Sequence, residues 1–224
     1  MSGATTTGIF SGLALWLVPS PDSAFTAAVK EESSKLRAAN PETSSKEVGV
    51  HATLLAGLGD RDISGDRLRD VTQQAVEQWR KEREVEEGFG FCVGFEDVVT
   101  RGSYFQCILI ALQKDPHLLR LNQIARGLVD KHFQPPPNAA KPGEYFPHIS
   151  LLYSSISTQE AHDQINQMKK EGIFKDLVKK TLGQEEQGKG ISFRNFGEVE
   201  FVAVDVYDCT ARPEEWVKLH SIPL

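Results

Sequence analysis

At 224 residues, with 40% hydrophobic and 25% charged side chains, the chain is long enough to bury a substantial core and has the balance of an ordinary soluble protein. A formal net charge of -6 and a pI near 5.6 argue against a long nucleic acid as partner, since a polyphosphate backbone calls for clustered Lys and Arg; a small anion in a local pocket suits the balance. Cys92, Cys107 and Cys209 are odd in number and widely spaced, which excludes a disulfide framework and a paired-cysteine zinc set and makes a reducing, cytoplasmic compartment the default expectation.

The opening "MSGATTTGIFSG" lacks the basic stretch of a secretory signal, and residues 1–12 are expected to be flexible. "LALWLVPSP" reads as a buried strand closed by prolines, with Leu13, Leu15 and Leu17 on one face and Ala14, Trp16 and Val18 on the other. Its apolar run is far shorter than the roughly 20 residues of a membrane span, so no membrane insertion is expected. Asp22 or Ser23 caps a helix to about Ala38, "VGVHATLL" is a second strand, and Leu68, Val71, Ala75, Val76 and Trp79 mark an amphipathic helix between Gly65 and Glu87.

"FGFCVGFEDVVTRG" and "YFQCILIALQ" read as strands joined around Arg101-Gly102-Ser103, and Asp115-Pro116 opens a helix to about Phe133. "QPPPNAAKPGEY" is a loop leading into "HISLLYSS", a strand; Thr158 caps a helix expected to run to about Leu182. "LGQEEQGKG" reads as a second loop, and both loops, 134–147 and 182–190, are candidates for a lid. "ISFRNFGEVEFVAVDVYD" supplies one or two more strands, and the tail can add another.

The order strand, helix, strand, helix, strand thus occurs twice, over about 13–99 and about 105–206, and each repeat holds H-x-[ST]-L-L in its middle strand. Residues 13–224 are expected to form one domain of two similar lobes about a pseudo-two-fold axis. Residues i and i+2 of a strand share a face, so each marked strand presents an imidazole beside a hydroxyl: His51 with Thr53, and His148 with Ser150.

Two such faces across an axis suit the opening of a cyclic phosphodiester, in which water enters on one side of phosphorus while the ribose oxygen leaves on the other. Histidine serves as base or acid near neutrality, the two hydroxyls donate to the non-bridging oxygens, and no metal or other cofactor is needed. A single H-x-[ST] is more often a core or rim histidine; a pair at corresponding places of a duplicated pattern is far more specific. His117, His132, His162 and His220 lack such a partner and are read as surface residues.

The sequence resembles the 2H phosphoesterase superfamily, and within it the cyclic nucleotide phosphodiesterases of plants and fungi. "LALWLVP", "GSYFQCILIALQ" and "YFPHISLLYS", with its Tyr-x-Pro-His element, carry the resemblance across most of the chain, whereas "VGVHATLLAG" lacks the Pro-His pair of the family's first motif. The resemblance implies an α+β, bilobal, LigT-like fold, with two antiparallel sheets and helices outside. It implies hydrolysis of 2′,3′-cyclic nucleotides to nucleoside 2′-phosphates, and of ADP-ribose 1″,2″-cyclic phosphate, a by-product of tRNA splicing, to ADP-ribose 1″-phosphate.

It further implies His51 and His148 as the acid/base pair, with His148 as base, and Thr53 and Ser150 as phosphate donors. Trp16 would stack on the base, and Tyr153 would sit near the substrate although alternation from His148 turns it the other way. A monomer is expected, cytosolic as in plants or Golgi-associated as in fungi. Two rival readings are an RNA-end or 2′,5′-phosphodiesterase of the same superfamily, which the acidic balance disfavours, and a non-catalytic nucleotide binder, which would not need both an acid and a base.

Overall fold

The apolar run after Gly12 forms strand β1 (Leu13–Pro19), and the Ser23 hydroxyl then accepts the Thr26 N–H at 3.1 Å to cap helix α1 (Ala24–Ala39). The chain continues through β2 (Ala52–Leu55), α2 (Gly65–Arg83) and β3 (Phe91–Val99). The same order recurs in β4 (Ile108–Leu112), α3 (Pro116–His132), β5 (His148–Leu152), α4 (Thr158–Lys170) and β6 (Phe174–Thr181), followed by β7 (Gln184–Phe193), β8 (Glu198–Asp208) and β9 (Val217–Pro223). The structure, a computed structural model, describes residues 12–59, 61–84, 86, 88–135, 143–181 and 184–224. The expected flexible start, apart from Gly12, and the centre of the 134–147 loop lie outside the described residues.

All strand pairings among the described residues are antiparallel, in the order β6-β7-β3-β4-β5-β2-β1-β8-β9. An extra ladder between β3 and β8 closes six of them into a ring. Gly90 makes that closure sterically feasible, because a Cβ there would lie 2.3 Å from the Phe201 carbonyl oxygen. The duplication acquires a physical meaning in this ring. β3, which ends the first repeat, pairs with β4, which opens the second; β8, late in the chain, pairs with β1. The middle strands β2 and β5 then meet at the axis through the single pair Ala52–Ile149.

Alternation along β1 sorts its side chains as the sequence indicates. Leu15 and Leu17 join the main core with Trp79, Phe95, Phe193 and Phe201, whereas Ala14 and Trp16 form a small cluster with Cys209 on the opposite face. The helices cover the main core: α2 and α3 pack together, locked by the Trp79 indole N–H donating to the His117 carbonyl at 2.9 Å, and α1 lies against β5. None of the described helices is long and apolar enough to cross a membrane.

The region after Thr158 departs from the expectation. The helix stops at Lys170 rather than near Leu182, because Gly172 adopts φ +75° and reverses the chain into β6. Ser157, not Thr158, is its cap, in a reciprocal capping box with Glu160. The expected loop at 182–190 is largely strand β7, paired with β6, so the described part of that segment is not a loose lid.

Candidate active site

β2 and β5 bring the two motifs to one cavity of about 330 Å³ on the Trp16 side of the sheet, lined by Trp16, His51, Thr53, Phe105, His148 and Tyr153 among others. Small register shifts aim these side chains. In the β1–β2 ladder Leu15 pairs with Leu55 and Trp16 with Thr53, so Leu54 is an extra residue and Trp16 stands opposite the motif threonine. In the β4–β5 ladder Leu109 pairs with Ser150 and Ile108 with Leu152, which bulges β5 at Leu151. The strand then ends, and Tyr153 turns inward until its hydroxyl lies 3.5 Å from His51 Nε2. The conflict between alternation and resemblance at Tyr153 resolves in favour of the cavity.

Each imidazole is oriented by the same device. His51 Nδ1 meets the Gly49 carbonyl at 2.7 Å, and His148 Nδ1 meets the Phe146 carbonyl at 2.9 Å. A carbonyl only accepts, so Nδ1 carries the proton in both rings and Nε2 of the neutral ring keeps a lone pair. Burial pushes the His51 imidazole down to about 4; the Gly49 carbonyl opposes this, and a charge on His148 adds to it. His148 is lowered by burial as well, against the pull of the Phe146 carbonyl and with a further push from the Arg101 charge. Charge therefore resides more readily on His148, at the half-exposed start of β5, than on His51. Burial holds the Tyr153 phenol well above its ordinary value, so it stays a donor.

The two hydroxyls differ in the free protein. Thr53 faces the main cavity, whereas Ser150 Oγ donates to the Phe105 carbonyl at 3.3 Å and lines a smaller crevice of about 20 Å³ beside His51. Trp16 lines the cavity too, but its ring is sandwiched, with centroids 3.6 Å from His51 and 3.7 Å from Tyr207, and it is only 3% exposed. Both faces being covered, Trp16 orients His51, and face-on stacking of a base on it is not available. The half-buried Phe105 and Trp216, 5.9 Å apart, form the aromatic wall instead. Strand and motif patterns missed both: Phe105 lies in a 3₁₀ turn and Trp216 in the tail, where a lone tryptophan amid charged residues was the available signal.

A family model described as cyclic phosphodiesterase-like protein matches residues 11–224. The chain belongs to this family, within the 2H phosphoesterases. Among solved structures, E. coli LigT complexed with 3′-AMP is similar at 15% identity and TM-score 0.50, over 96% of this chain and 98% of that one. A protein described as a phosphoesterase gives 15% and 0.48, and LigT complexed with NADP+ gives 15% and 0.45, each over 96% of this chain and 98% of the other. No curated protein sequence matches significantly. The fold of this 2H phosphoesterase is thus the α+β, LigT-like one, and its enzymatic class is phosphodiester hydrolysis.

The 2H phosphoesterase also ties its two motifs together from outside the strands. Because β2 and β5 share a single residue pair, carbonyls of β2 need other donors. Asn122 of α3 donates to the Leu54 carbonyl at 2.6 Å, and the Tyr145 hydroxyl to the Thr53 carbonyl at 3.1 Å. Tyr145 opens the Tyr-x-Pro-His element, so it couples the backbone of the first motif to the entry of the second. Tyr145→Phe is expected to cost about 1 kcal/mol of stability and to lower kcat about tenfold with little change in KM, through misplacement rather than lost binding. Thermal melts and steady-state kinetics check this; a wild-type kcat in a destabilised variant would reduce Tyr145 to a structural tie.

Proposed function

We propose that this protein opens small cyclic phosphodiesters by metal-independent hydrolysis, converting nucleoside 2′,3′-cyclic phosphates to nucleoside 2′-phosphates and ADP-ribose 1″,2″-cyclic phosphate to ADP-ribose 1″-phosphate, as in the clearance of tRNA-splicing by-products. The observation that carries the reading is the pair of imidazoles, each fixed at Nδ1 by a backbone carbonyl, in one cavity beside the Thr53 hydroxyl. One imidazole takes a proton from water as its oxygen bonds to phosphorus; the other gives a proton to the ribose oxygen as the P–O bond breaks. One water is consumed. Thr53, and Ser150 once it leaves the Phe105 carbonyl, donate to the non-bridging oxygens as their charge grows.

The lining supports a small diester. Among the described residues it contains no Lys, Arg, Asp or Glu, so a monoanionic cyclic diester meets polar donors and an imidazolium rather than a fixed cation. The product monoester carries more charge and is held less well relative to its hydration, which favours release. The crystallised LigT complex of TM-score 0.50 contains 3′-AMP; a mononucleotide of that size suits the cavity here.

The two depressed imidazoles set the pH dependence. The rate needs one neutral and one charged, and kcat/KM reports the free protein. His51, near 4, faces Tyr153 and His148; His148, below 6.5, faces Arg101; Cys209, pushed up to about 12, stays a thiol. The form with one proton on the pair is populated above about 4 and lost as pH rises through the pKa of His148. A bell with its apex on the acid side of 6.5 is expected, and a kcat/KM rising monotonically from pH 5 to 8 contradicts paired histidine catalysis. Incubation with 2′,3′-cyclic AMP in EDTA tests the reaction itself. Undiminished turnover to 2′-AMP is expected; turnover lost on chelation contradicts the metal-free mechanism, and binding without turnover leaves the non-catalytic reading.

A further inference from the structure

We propose that Arg101 forms a second anion subsite on the rim of the cavity, so that the protein prefers cyclic phosphodiesters carrying a further phosphate group on the same small molecule. The proposal rests on reading the cavity as a cyclic-phosphate site. Arg101 begins the turn between β3 and β4, and the same turn supplies Ser103, Phe105 and Gln106 to the cavity wall. The turn is set by the Arg101 N–H donating to the Gln106 carbonyl at 3.0 Å and by Gly102 at φ +66°. The side chain is exposed, yet it is placed: its guanidinium carbon lies 4.6 Å from the centre of the Phe146 ring. Phe146 in turn stacks on His148, with centroids 5.3 Å apart. The cation is therefore one ring away from a catalytic imidazole, close enough for its charge to act on His148.

How that cation is held matters for what it can do. Arg61, Arg69, Arg120 and Arg194 are each within ion-pair distance of a carboxylate. Arg101 lies against an aromatic face, which attracts the charge without neutralising it and leaves the N–H edge to address a phosphate in bidentate fashion. Among the described residues no carboxylate pairs with it. Arg37 and Lys46 line the smaller crevice beside His51 and Ser150, whereas Arg101 is the cation on the turn that walls the main cavity. A ribose whose 2′ and 3′ oxygens carry the cyclic phosphate projects its 5′ oxygen away from the histidines, so a 5′-phosphate or a diphosphate at that oxygen is the class of substituent the rim would take.

The test compares adenosine 2′,5′-bisphosphate with adenosine 2′-monophosphate by calorimetry on the full chain, which needs no turnover. The wild-type protein is expected to bind the bisphosphate about tenfold more tightly. Arg101→Gln should erase that ratio, Arg101→Lys should retain part of it, and raising the salt should shrink it in the wild type. Equal affinities in the wild type, or a ratio that survives Arg101→Gln, overturn the proposal. Failure of the catalytic reading is seen separately: a protein that shows the Arg101-dependent ratio but never opens 2′,3′-cyclic AMP keeps the subsite and loses the proposed reaction.

Discussion

Replacing His51 or His148 is expected to lower kcat/KM on 2′,3′-cyclic AMP by about a thousandfold, and replacing both to lower it little further. The near-equality follows from the chemistry. In the proposed reaction attack and departure occur on opposite sides of one phosphorus, so an intact base gains little once the leaving oxygen has no proton donor, and the converse holds too. The controls follow from the packing. His51 is 6% exposed and stacked on Trp16, so its loss also opens a void, whereas His148 stands at the half-exposed start of β5. Asparagine at either position is the better replacement, because its amide can still donate to the Gly49 or Phe146 carbonyl while lacking a titrating ring nitrogen. Melting temperatures within a few degrees of wild type, with activity lost, separate chemistry from folding. Two independent tenfold losses that multiply in the double variant would contradict a concerted pair.

The hydroxyls proposed as phosphate donors give the second large effect. Thr53→Val keeps the β-branched shape of the strand residue and removes the hydroxyl; Ser150→Ala removes its counterpart. Each is expected to reduce kcat by about a hundredfold, with smaller changes in KM, because charge on the non-bridging oxygens grows toward the transition state. The two should differ in stability. Ser150 Oγ satisfies the Phe105 carbonyl in the free protein, so Ser150→Ala should cost about 1 kcal/mol, whereas Thr53→Val removes a group that faces the cavity. Equilibrium unfolding beside steady-state kinetics measures both. Losses confined to KM would make the hydroxyls binders of the ground state only.

The duplicated pattern was legible in the chain because alternation and caps are local. Leu15 and Leu17 against Ala14 and Trp16, the Asp115 cap before Pro116, and the paired His and hydroxyl positions each follow from neighbours in sequence. What escaped depends on distant contacts or on a single backbone angle. Gly172 converted a helical-looking lysine-rich stretch into a turn and a strand. The bulge at Leu151 that brings Tyr153 into the cavity is a property of the β4–β5 ladder, not of "HISLLYSS" itself. Trp16 stands where the resemblance implied, yet Tyr207 from β8 covers the face that a base would need. The tie from Tyr145 to the Thr53 carbonyl was equally invisible, because it exists only once β2 and β5 meet at one residue pair.

Identifying the product of 2′,3′-cyclic AMP with the wild-type, His51→Asn and His148→Asn proteins side by side tests the paired-histidine claim most directly. The expected result is 2′-AMP from the wild type in the presence of chelator and about a thousandfold less from either folded variant. Turnover that survives in a variant, or 3′-AMP as the product, would contradict the account.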